Sequence, residues 1–227
     1  MDTNLVFEEY REYVNNKEFA CVAAKAALAK QQIQCMVAGH MACPRDDDAI
    51  LQFLYQFIDV YRSSTELYHS AVVVFEPSGI GSEEMFDALL WQRLQALSAL
   101  DARNYSYDSR VEAVPASSKF SFSLKQEAFF IIGLHPNSSR SVRRFKYPAL
   151  VFNPHQQFEQ LKETNKYESL KKVVRKRDLS VSGSINPMLE DFGEASEVYQ
   201  YSGRQYDKNW LCPLNVYHGK PSNNSAA

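Results

Sequence analysis

An α+β domain, a mainly antiparallel sheet with flanking helices, is what this sequence predicts. Three observations carry that expectation. The run Ser70-Ala-Val-Val-Val-Phe75 is short, continuous and β-branched, as a buried strand should be. Two more strand segments, 120–133 and 148–153, follow one another across a single polar loop, which favours antiparallel pairing. Helical windows surround these strands. No internal repeat, low-complexity segment or linker divides the chain. One domain over residues 1–218 is therefore expected, with residues 219–227, small and polar, as a frayed tail.

Taken in order, residues 3–14 place Leu5, Val6, Tyr10, Tyr13 and Val14 on a ragged helical stripe. The Ala-rich segment 18–32 has high helix propensity, and a short strand can follow at Ile33–Val37. Asp46, Asp47 and Asp48 suit the start of a helix through Ser64, where negative charge meets the positive end of the helix dipole. After Phe75, Pro77, Gly79 and Gly81 break the chain, and Ser82 with Glu83 and Glu84 opens a helix through about Ala102. Residues 120–134 read as one strand, or as two with a break near Lys125–Glu127. Residues 148–154 form another strand and 155–164 begin a helix behind it. The last 45 residues show little periodicity.

Composition narrows the function classes. The 227 residues are 45% hydrophobic and rich in Tyr and Phe, enough for a sizeable core. A net charge of −2 gives no global attraction to nucleic acid. The halves differ, however: residues 1–115 carry 9 Lys/Arg against 17 Asp/Glu, and residues 116–227 carry 16 against 10. Part of the basic excess is Lys171, Lys172, Arg175, Lys176 and Arg177, which reads as a solvated helix face or a polyanion site. The acidic opening lacks the features of a signal peptide, and no run reaches the roughly 18–20 apolar residues of a membrane span. Cys21, Cys35, Cys43 and Cys212 have no paired metal spacing, so free thiols in a reducing cytoplasm are expected.

Common catalytic signatures are missing. The sequence has no phosphate-binding loop, no Gly-rich dinucleotide turn and no HExxH helix, nor a GxSxG elbow. The five histidines, at 40, 69, 135, 155 and 218, include no pair at helical metal spacing. One stretch still has the makings of a ligand site, Gly133-Leu-His-Pro-Asn-Ser-Ser-Arg140 followed by Arg143 and Arg144. It leaves an apolar strand with a histidine, two hydroxyls and three guanidinium groups suited to carboxylate or phosphate. A capped turn with solvent-exposed arginines is the plainer alternative. His155, in Phe152-Asn-Pro-His155, also lies just past a strand, so the two histidines are expected at neighbouring strand ends.

The stretch AFFIIGLHPNSSRSVRRFKYPALVFNPHQQFEQL resembles the core signature of the YqcI/YcgG family, as does SINPMLEDFGEASEVYQYSGR. The ending WLCPL is similar to the family's Trp-x-Cys-Pro close. FACVAAKAALAK resembles its Phe-Pro-Cys-x-x-Ala opening, with Ala20 where proline is expected. The resemblance spans about residues 19–213 and is densest over 128–161. It implies a haem-dependent enzyme that hydroxylates a guanidine or amine nitrogen of an arginine-like small molecule.

On that implication, the iron of a non-covalent haem b takes His135 as its axial ligand, ahead of His155, Cys21 and Cys212. Arg140, Arg143 and Arg144 hold the propionates, and His155 either donates to the ligand network or faces the distal, oxygen-binding side. Asp191, Glu194 and Glu197 are the candidate carboxylates for a cationic substrate, their plainer role being an acidic helix start. An external donor supplies electrons, because no flavin or nicotinamide motif occurs in the sequence. Two alternatives stand beside this expectation. One is a non-catalytic haem carrier or sensor, and the other an α+β anion-binding module without haem.

Overall fold

The continuous apolar run at Ser70–Phe75 becomes a strand buried over its whole length, because both of its faces are covered. The structure, a computed structural model, describes residues 1–77, 79–165, 167–183, 188 and 193–218. The tail expected at 219–227 therefore lies outside the described residues, as does Asp191. The strands are β1 (Ile33–Ala38), β2 (Ser70–Phe75), β3 (Phe122–Leu124), β4 (Glu127–Leu134) and β5 (Ala149–Pro154). They form one sheet in the order β1-β2-β5-β4-β3. Only β1 and β2 run parallel, and the other three pairings are antiparallel.

The helices are α1 (Thr3–Asn15), α2 (Val22–Ala29), α3 (Asp47–Ser63), α4 (Glu83–Asp101), α5 (Gln156–Glu163), α6 (Tyr167–Ser182) and α7 (Val198–Tyr201). Strand alternation sorts the core into two layers. Ala71, Val73, Leu150, Phe152, Phe129 and Ile131 meet α3 and α4 through Ile50, Leu54, Phe57, Phe86 and Leu90. Val72, Val74, Ala149, Val151 and Leu134 face the other way, onto Val6, Tyr10, Val14 and Leu28 of α1 and α2. Gly133 serves the first layer: a Cβ there would lie 2.7 Å from Phe86 Cε1 and 2.9 Å from Leu90 Cδ1. Its bare backbone lets α4 approach the sheet.

Local chemistry explains the element ends. Ser82 Oγ accepts from Met85 N–H at 3.1 Å and caps α4, as the Ser-Glu-Glu start predicts. The 120–134 segment is two strands, turned by Lys125 and Gln126 at φ 49° and 59°. The acidic triplet is divided rather than shared as one cap. Asp46 accepts from Gly39 N–H at 2.7 Å, and Asp47 pairs with buried Arg93. The Ala-rich helix is shorter than its propensity suggests, since it starts only after Cys21. Among the described residues no helix is long and apolar enough to cross a membrane, and all four cysteines are free.

Candidate functional site

The antiparallel register of β4 and β5 determines which candidate residues can meet. Leu134 pairs with Ala149 and Phe129 with Pro154, so His135 and His155 leave opposite ends of the same two-strand ladder. Six rungs separate those ends, about 20 Å along the strands. The expectation of neighbouring strand ends is thereby corrected: a short loop joins β4 to β5, and an antiparallel return carries the second exit away from the first.

At the His135 end, the loop closes on itself through backbone bonds from His135 N–H to Arg143 O and from Ser138 N–H to His135 O. The His135 ring is fully buried and stacks on Phe86 at 4.2 Å between ring centres. Neither ring nitrogen has a hydrogen-bond partner among the described residues. Burial drives its pKa from the ordinary 6.5 down to about 4, with Glu83 opposing and Arg143 assisting.

The three arginines beside it knit the loop to its neighbours. Arg140 Nη2 donates to both carboxylate oxygens of Asp178 on α6, at 2.7 and 2.6 Å. Arg143 is buried, donates to Tyr201 O at 3.0 Å and lies against Gly203, where a Cβ would meet its Cδ at 2.7 Å. Burial lowers its pKa to about 10. Arg144 Nε donates to Ser138 O at 2.7 Å.

The opposite end holds a cavity of about 260 Å³ between the sheet, α2, α5, α6 and the segment around α7. Phe130 and Ile132 project into it from β4, Ala23 and Ala24 from α2, Phe158 and Leu161 from α5. Its α6 wall is Tyr167, Leu170, Lys171, Val174 and Arg175, the 3- and 4-residue spacing of one helix face. His155 stands at its edge, buried at the start of α5, with its backbone N–H donating to Ala128 O at 2.7 Å. Its Nδ1 is 3.8 Å from Glu197 Oε1 and its Nε2 is 3.6 Å from Glu159 Oε1.

Glu197 is buried too, and its Oε2 has no hydrogen-bond partner among the described residues. Burial raises the Glu197 pKa, and the nearby His155 ring works in the other direction. On the far side of His155 and Glu159 lies a smaller cavity of about 150 Å³, bounded by Asp108 and Arg110.

The described cavity wall therefore includes His155 and Glu197 but not His135, Arg140, Arg143 or Arg144. Glu194 lies on the surface. The cations at the cavity are Lys162, Lys171 and Arg175, which a reading of 171–177 as one solvated face overlooks. The apolar stripe 167, 170, 174 was the available signal, since it shows which side of α6 turns inward. Cys21 also reaches the cavity, but burial raises its pKa, with backbone N–H groups of Ala24 and Ala23 opposing. Those surroundings favour thiol over thiolate. Among the described residues no cluster of three His, Cys, Asp or Glu side chains is arranged to hold a bare metal ion.

Residues 10–215 match the YqcI/YcgG family. The chain belongs to the YqcI/YcgG family. Within that family, the uncharacterized protein YqcI of Bacillus subtilis strain 168 is 27% identical over 221 residues, covering 92% of this chain and 85% of its own. No solved structure matches. The match embraces both strand ends, the cavity residues from Cys21 to Gln200 and the arginine loop.

Proposed function

We propose that this YqcI/YcgG protein is a haem-dependent N-oxygenase, hydroxylating a guanidine or amine nitrogen of an arginine-like small molecule. The observation that supports it best is His155 at an apolar cavity, with the buried Glu197 carboxylate 3.8 Å from its Nδ1. A histidine that ligates a metal usually donates its second ring N–H to such a partner, which orients the ring and raises its basicity. The donor set suits a non-covalent haem b: His155 would hold the iron, Phe130, Ile132, Leu161 and Leu170 would wall it, and Arg175 would hold a propionate, joined by Lys162 and Lys171 on exchange of their pairs with Glu159 and Glu168. His155 is preferred here to His135, whose ring is sealed under Phe86. When bound, the haem supplies activation of O₂ with electrons from an external donor.

The remaining work falls to the protein. Glu197 Oε1 stands 3.8 Å from His155 Nδ1 and Glu159 Oε1 3.6 Å from Nε2, so carboxylates flank the ring on both sides, and Glu159 would turn aside where iron takes Nε2. Glu197 Oε2 is available to accept from a cationic guanidinium or amine. Apolar side chains keep water from the reacting nitrogen. Four free cysteines suit a reducing, cytoplasmic setting.

The test is turnover by haem-loaded protein supplied with a chemical reductant and a panel of guanidines and amines. Substrate-dependent O₂ uptake with an N-hydroxylated product by mass spectrometry is expected. Haem binding without uptake on any member of the panel would leave the carrier or sensor reading in its place.

A further inference from the structure

Helix α6 has two basic faces with different surroundings. Lys171 and Arg175 turn inward with Tyr167, Leu170 and Val174 to wall the cavity. Lys172, Val173, Lys176, Leu179 and Ser180 turn outward, on the opposite side of the same helix. Val173 is 42% exposed and Leu179 49% exposed, so this face carries two apolar side chains beside its lysines. The acidic groups of α6 are already ion-paired, the exposed Glu168 within the helix itself. Glu168 pairs with Lys171 at 3.0 Å, and Asp178 is bound by Arg140. Lys25 of α2 lies beside this region, its pKa lowered by burial and by the like charge of Arg177. The outer face is thus a positive, partly apolar strip one helix thickness, about 10–12 Å, from the cavity.

We infer that the outer face of α6 is the docking surface for an acidic one-electron carrier, a protein of ferredoxin or flavodoxin type. The inference rests on the redox reading of the cavity, which needs electrons from outside the chain. Charge complementarity selects the partner: paired lysines steer an acidic surface into contact, and the exposed Val173 and Leu179 give the encounter an apolar centre. Each encounter passes one electron, so the carrier is oxidised by one and the group in the cavity reduced by one, with no atom transferred. Two encounters supply the pair of electrons that one O₂-dependent hydroxylation consumes.

The probe is an acidic plant-type [2Fe–2S] ferredoxin, titrated against the full chain without haem and followed by calorimetry. Binding should weaken about tenfold or more in Lys172→Glu/Lys176→Glu. Wild-type binding should weaken comparably between about 0.05 M and about 0.5 M salt. Reoxidation of reduced ferredoxin by the haem-loaded variant should slow in step, while its hemin titration matches wild type. Equal ferredoxin affinity in wild type and variant, or no binding at low salt, overturns the docking surface. Co-sedimentation with phosphatidylserine vesicles in place of ferredoxin binding also overturns it, in favour of a lipid contact. Failure of both proteins to take up hemin is a separate result and counts against the haem reading, not against a lysine-dependent ferredoxin complex.

Discussion

Replacing His135 with Phe should make the protein less sensitive to acid. His135 is fully buried on Phe86, its two ring nitrogens have no partner among the described residues, and burial puts its pKa at about 4 against an ordinary 6.5. Between those values the unfolded chain binds a proton that the folded chain refuses. Its contribution is complete above pH 6.5 and is lost as pH falls toward 4. A displacement of that size is worth about 3 kcal/mol, a large share of the roughly 5–15 kcal/mol that holds a domain folded. Phe fills similar space beside Phe86 and carries no nitrogen to protonate or leave unsatisfied. Urea denaturation at neutral pH and near pH 4.5 measures the effect. With a slope of about 2–3 kcal/mol per molar, the wild-type midpoint should drop about 1 M further than that of the variant. Some acid dependence should persist, because burial also lowers the pKa of His69. Identical pH dependence in the two proteins would refute the reasoning and mean that the His135 ring reaches water.

Two further substitutions separate packing from binding. Arg140→Ala removes two charge-assisted bonds to the nearly buried Asp178 carboxylate, so stability should fall by about 1.5–3 kcal/mol in chemical denaturation, with hemin affinity of the folded fraction unchanged. A loss of hemin affinity without a loss of stability would return Arg140 to the propionates. Glu197→Gln removes a buried carboxylate whose pKa burial raises, so stability above neutral pH should rise. The substrate requirement should rise as well, by about ten- to a hundredfold, as a charge-assisted bond worth about 1.5–3 kcal/mol is lost. An unchanged substrate-induced spectral shift would remove Glu197 from substrate contact.

Much of the fold was legible because local signals and tertiary demands agree. Val72, Val73 and Val74 demand cover on both faces and receive it, and Ser82 begins α4 where its hydroxyl can cap. The site was harder to read, for a geometric reason. His135 and His155 are equivalent in sequence, each just past an apolar strand, and only the β4–β5 register separates them. Glu197 was legible as a carboxylate of interest, but nothing local distinguishes its burial from the exposure of Glu194 three residues earlier. In the same way a run of five cations hides a helix that turns Lys171 and Arg175 inward and Lys172 and Lys176 outward. The arginine loop carries a binding-site composition, yet each guanidinium already bonds within the protein, to Asp178, Tyr201 and Ser138 in turn, and none lines the cavity.

Titration of the purified chain with hemin, followed at the Soret band in wild type, His155→Ala and His135→Phe, tests the central claim most directly. Wild type and His135→Phe should each take up about one haem per chain with the same ferric and ferrous–CO spectra. His155→Ala should lose the haem or change its ligation. No Soret shift in wild type would contradict the haem reading altogether, and loss of the wild-type spectrum in His135→Phe alone would place the iron at the other end of the sheet.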